Sequence, residues 1–77
     1  MERELTFGEK ACGVSFNPGG RDDVDKIKRA YAQVVDILNE HRLLSDSTPE
    51  IKRMLSIAIT ETQTAQMWAV KAVTWSN

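Results

Sequence analysis

The sequence lacks most of the devices that hold small proteins together. It has one cysteine, Cys12, among 77 residues, so no disulfide can close within the chain. With His41 as the sole histidine, no Cys/His cluster exists to hold a structural zinc, and no metal site is expected. No apolar run approaches the roughly 18 residues that cross a bilayer, so no membrane span is expected. Met1 to Lys10 carries charges of both signs and no apolar centre, unlike a secretory signal. Ten basic against eleven acidic residues give a net charge of -1. That leaves no basic field of the kind that binds duplex DNA. A lone thiol suits a reducing compartment, so the cytoplasm is expected. A chain this short buries only about 60% of its unfolded surface, and usually needs disulfides, a metal or partner chains to be stable. The first two are missing, which leaves further copies of itself.

Glycine and proline are scarce and unevenly placed. All four glycines and Pro18 fall in residues 1–21. This stretch reads as a Gly-rich N-terminal arm, with a short extended piece at residues 11–16, packed on a neighbour through Val14 and Phe16. Residues 22–43 read as a helix: Val24, Ile27, Tyr31, Val34, Val35 and Leu38 recur at three- and four-residue steps. Asp22, Asp23 and Asp25 suit the positive end of its dipole, and His41 and Arg42 the negative end. A polar turn follows at residues 44–48. Thr48 can cap a second helix with Pro49 at its first position, or Ser47 and Glu50 can form a capping box. That helix runs over residues 49–74 without an internal glycine or proline. The short turn makes the two helices antiparallel, so the fold class is all-α, a two-helix hairpin with an N-terminal arm in a single domain, residues 1–77.

The second helix carries two distinctive faces. Ile51, Leu55, Ala58, Ala65, Ala69, Ala72 and Val73 mark the side expected to pack. Arg53, Thr60, Thr64 and Lys71 line the other side, flanked by Ile57, Met67, Trp68 and Trp75. A polar row bordered by large apolar side chains points to a second contact surface, and hence to a homo-oligomer.

Catalysis finds little support. His41 is better read as a solvated cation at a helix end than as a general base. Cys12 is better read as a small buried hydrophobe than as a nucleophile. Asp22 and Asp23 are helix-start residues rather than metal ligands. The Gly13–Gly20 stretch lacks the strand and the Lys-Ser/Thr ending of a phosphate-binding loop. Binding is better served. Phe16 offers a stacking surface, Asn17 an amide that can read a base edge, and Lys26 and Lys28 charges for phosphate. The plainer reading makes Phe16 a packing residue and both lysines solvated; for Arg53, Thr60 and Thr64 it is a hydrated polar face.

Two blocks resemble a known family. Gly13-Val14-Ser15-Phe16-Asn17-Pro18 leads into Val24-Asp25-Lys26-Ile27-Lys28. Arg53 then precedes Ile57-Ala58-Ile59-Thr60, Gln63, Ala65 and Met67-Trp68-Ala69. Their order and spacing resemble the phage anti-CBASS cyclic-nucleotide sponges, whose hairpin is shared with Thoeris-inhibiting sponges, over roughly residues 8–74. The resemblance implies a helical hexamer without cofactors. It would sequester cyclic di- or trinucleotides, without cleaving them, in the cytoplasm of an infected bacterium. It places a cyclic dinucleotide at Phe16 and Lys28, with Lys26 as the second choice of lysine. A cyclic trinucleotide falls at Arg53 with Thr60 and Thr64. Phe16 stands where a tyrosine is usual, which keeps stacking and removes a hydroxyl. The competing readings are a small helical protein-interaction module without a nucleotide ligand, and a phosphodiesterase.

Overall fold

A computed structural model describes residues 3–76. Three helices follow in order: α1 (Phe7–Ala11), α2 (Asp22–Arg42) and α3 (Pro49–Val73). Among the described residues there is no strand. The extended piece expected at residues 11–16 is instead the end of α1 followed by a turn. The cause is local. Thr6 and Glu9 form a reciprocal capping box, with the Glu9 N–H donating to Thr6 Oγ1 at 3.1 Å and the Thr6 N–H to Glu9 Oε1 at 2.8 Å.

Five residues cannot hold a helix alone. Docking onto α2 does so: Asp36 accepts from the Thr6 hydroxyl and from the Gly8 N–H, both at 2.7 Å. Gly8 is required there, because a Cβ at that position would lie 2.1 Å from the Ala32 carbonyl oxygen. Glu9 is gripped by Arg3 and more distantly by Arg29 at 3.4 Å, and Arg3 with the Thr6 N–H holds its pKa down at about 2.

At the hairpin turn Thr48 is the N-cap of α3, accepting from the Ile51 N–H at 3.2 Å, with Pro49 leading the helix. Ser47 instead donates its hydroxyl to the His41 carbonyl at 2.7 Å, and Lys52 donates to the carbonyl of Arg42 at 2.6 Å. These bonds satisfy the last carbonyls of α2, which have no helical partner.

The core is small: Cys12, Val14, Ala32, Val35 and Ile59, with Leu5, Ala11, Tyr31 and Leu38 packed against it. Val34, expected inside, is 45% exposed; Lys28 and Ala32 take inward positions on α2. On α3 the inward side carries Ile59 and Gln66, with Leu55, Thr62, Gln63 and Val70 half-buried, while Ile51, Ala65, Ala72 and Val73 are exposed. The packing face is thus turned roughly 70–80° from the alanine stripe, at 100° per residue. It tolerates Thr62 and Gln63 because their polar groups find partners. Thr62 donates to its own helix at Ala58, and Gln63 reaches the Ala11 carbonyl at 3.3 Å.

The Cα atoms fit within 46 × 36 × 12 Å. Two stacked helix layers need axes about 8–10 Å apart plus a backbone radius of about 2.3 Å on each side, so 12 Å holds only one layer. The radius of gyration is 14.0 Å, against about 11.5 Å for a compact chain of this length. A single layer leaves Ile57, Met67 and Trp68 of α3, and Val34 and Ile37 of α2, exposed to solvent.

Candidate functional site

Lys28 is the most unusual side chain in the molecule. It is charged, yet only 7% exposed. A buried ammonium needs compensating oxygens, and the chain supplies them from the turn after α1. Gly13 takes φ +63°, a conformation that glycine adopts readily, and this bends the chain back over α2. The Lys28 Nζ then donates to the Gly13 carbonyl at 3.1 Å and to the Phe16 carbonyl. It also lies 5.4 Å from the centroid of the Phe16 ring, within cation–π range. An ammonium has three protons, so one remains.

Lys28 stands between two open cavities. One, of about 230 Å³, is lined by Phe16, Asn17, Pro18, Arg21 and the last turns of α3 at Val70 and Thr74. The other, of about 400 Å³, lies between the turn after α1 and α3, with Lys10, Gly13, Gln63, Gln66 and Met67 in its walls. Phe16 is 70% exposed, so it is not a packing residue within the chain. Its ring is held over Lys28 with a free face.

Asn17 lines the smaller cavity, but both ends of its amide are engaged. It donates to the Arg21 carbonyl at 2.8 Å and accepts from the Arg21 N–H at 3.2 Å, closing the loop before α2. Lys26 is exposed and lines neither cavity. Two residues from Lys28 on a helix, it faces the opposite way. The structure therefore brings together Phe16, Asn17 and Lys28 and leaves Lys26 apart. It adds Arg21, whose guanidinium bonds Asp23 and the Val73 carbonyl at 3.0 Å, tying the arm to the end of α3.

Arg53, Thr60 and Thr64 sit along the outer side of α3. Arg53 is exposed and makes a two-pronged pair with Glu50 at 2.7 and 2.8 Å. That pair holds the Glu50 carboxyl below its ordinary range and the guanidinium above its own. Exposed pairs of this kind exchange readily for other anions. The Thr60 hydroxyl donates to Ser56 O at 3.2 Å and the Thr64 hydroxyl to Thr60 O at 3.1 Å, which leaves their lone pairs outward as acceptors. Arg53 and Val70 are 17 residues apart, about 25 Å along the helix, so the two groups are separate places on the chain.

Gln63, Gln66 and Lys10 join the larger cavity without a motif to announce them. The one signal is register: Gln66 lies seven residues after Ile59, on the inward line of α3. Among the described residues no group of three or more His, Cys, Asp or Glu could hold a metal ion. No helix there is long and apolar enough to cross a membrane.

The Acb2/Tad1 hairpin domain matches residues 8–74, from α1 through the C-cap of α3. The chain belongs to this family. Searches of curated proteins and of solved structures return no match. Acb2/Tad1 hairpins are sponge-like binders of signalling molecules and form a binding rather than a catalytic family. The span matched is the one over which the sequence resembles anti-CBASS sponges. In this Acb2/Tad1 member it takes in the Lys28 cage, both cavities and the Arg53 row.

Proposed function

We propose that the chain is a phage-encoded anti-defence sponge. It binds cyclic oligonucleotide second messengers and holds them intact, which blocks CBASS-type immunity in the cytoplasm of the infected bacterium. The observation that carries this reading is the caged Lys28 ammonium beside the exposed face of Phe16. A ring stacks on a base, and the remaining N–H meets a phosphate oxygen. These two residues form the cyclic-dinucleotide pocket, with Asn17 fixing the loop that presents Phe16. Lys26 stays outside it.

Arg53, with Thr60 and Thr64, forms the cyclic-trinucleotide pocket. The single helical layer and its exposed apolar residues support a homo-oligomer, and we assign it as a hexamer. Threefold symmetry would then gather copies of Arg53 around an axis. Converging like charges are unfavourable unless an anion lies among them, and a ring of three phosphates supplies it. A preformed oligomer binds tightly because little is left to order.

The test is to incubate the purified protein with a panel of cyclic di- and trinucleotides, wash it, denature it and identify what is released by mass spectrometry. Recovery of intact cyclic ligand is expected. Release of linear products would make the protein an enzyme, and retention of no nucleotide would overturn the reading. The 65% exposure of Trp68 beside Met67 favours one second reading, a protein-interaction module. It predicts a co-purifying protein and no nucleotide.

A further inference from the structure

The larger cavity holds a feature that the phosphate-binding residues leave unexplained. Gln66 is only 5% exposed and lines that cavity. Yet its amide has no hydrogen-bond partner among the described residues, whereas every fully enclosed side-chain nitrogen or oxygen there has one. The open ends of the Gln66 amide therefore face the cavity. Gln63, one turn earlier, is already spent on the Ala11 carbonyl through its Nε2. Both amide atoms reach solvent rather than being sealed off, so a ligand that offers one acceptor and one donor can take the place of water on them.

We infer that Gln66 reads an adenine ring, and that this cavity is the base-specificity pocket of the binding site proposed above, on which the inference rests. A glutamine amide pairs in two places with adenine, accepting from N6–H and donating to N7. Guanine presents two acceptors, N7 and O6, on the same edge, so the amide oxygen would face an oxygen. The walls suit a flat ring: Ala11, Met67 and Val70 supply apolar contact, and a methionine sulfur packs well on an aromatic edge. The cavity, about 400 Å³, falls within the range of small-molecule sites. Two ammonium groups in the same wall, Lys10 and Lys28, can meet the phosphates that accompany the base. Lys28 lines both cavities with one proton to spare, and the Lys10 ammonium is held only by a 3.8 Å contact to Glu4.

The experiment uses the full chain, cyclic di-AMP and cyclic di-GMP. Calorimetry of the wild type is expected to favour cyclic di-AMP by about tenfold or more, in line with a two-point amide contact. The Gln66 side-chain NH₂ signals in an ¹⁵N-labelled sample should move on adding cyclic di-AMP. The variant Gln66→Met keeps length and lacks the amide; it should bind both ligands within about threefold of each other. A wild type without preference, a preference for guanine, an unmoved Gln66 amide in the bound state, or a preference that survives Gln66→Met would overturn the inference and leave the sponge reading standing. A wild type that binds neither these ligands nor any of the panel overturns both. If Gln66→Met does not fold, as judged by circular dichroism, the NMR shift and the wild-type preference decide the matter.

Discussion

Replacing Gly8 with alanine tests how the N-terminal helix is held. The new Cβ would lie 2.1 Å from the Ala32 carbonyl oxygen and 2.8 Å from Asp36 Oδ1, where ordinary contact begins at 3.4 Å. The first obstacle is α2 backbone and cannot swing aside, so α1 must retreat by about 1.3 Å. That retreat stretches the 2.7 Å bond from the Gly8 N–H to Asp36 and strains the one from Thr6. Overpacking of this kind costs about 1–3 kcal/mol, and a weakened bond to a charged group adds about 1 kcal/mol. A total of about 2–4 kcal/mol lowers the melting temperature of a chain this size by roughly 10–25 °C. Melts followed by circular dichroism at matched protein concentration measure the shift. Cys12 gives a second readout. It is buried behind α1, and burial pushes its thiol pKa up, so disulfide reagents should label it slowly in the wild type and faster in Gly8→Ala. A variant that melts within about 3 °C of the wild type and protects Cys12 equally would refute the close approach of α1 and α2.

Lys28→Met should leave the Phe16 carbonyl without its donor and the Gly13 carbonyl with only the Phe16 N–H, lower stability by about 1–3 kcal/mol and remove cyclic-dinucleotide binding, as read by denaturant melts and calorimetry. Arg53→Ala should melt within a few degrees of the wild type, since Arg53 is exposed, while losing cyclic-trinucleotide binding; unchanged affinity would remove that site. Glu9 sets an acid limit. Its folded pKa of about 2 lies below the ordinary 4.5, so its contribution is complete above about pH 4.5 and is lost as pH falls toward 2. Acid titration followed by circular dichroism should show that loss, and Glu9→Gln should flatten it within that window.

The long helices are legible because periodicity and end signals agree. Three aspartates open α2, Thr48-Pro49 opens α3, and the bounds Asp22–Arg42 and Pro49–Val73 lie within a residue of those read from the pattern. The short helix is harder to read. Its capping box, Thr6 to Glu9, is written in the sequence, but Gly8 inside it weakens helix propensity, and only the close approach to Ala32 explains the glycine. The packing face of α3 is obscured for a related reason. Thr62, Gln63 and Gln66 look like surface residues until their partners, or the cavity they face, are known.

The same limit applies to the site. Phe16 and Lys28 are readable as a ring and a charge. That the lysine is enclosed by carbonyls depends on the turn at Gly13, which positive φ creates. Gln66 has no local signature, because its importance comes from residues more than 50 positions earlier in the chain that complete the cavity around it.

A body one helix deep cannot enclose a guest. Its hollows are open to solvent rather than enclosed. Long residence must therefore be imposed by whatever closes over the mouth. In the proposed oligomer the rate of escape is set by the contact between copies, so substitutions on the outer side of α3 should shorten retention even where no ligand atom is touched.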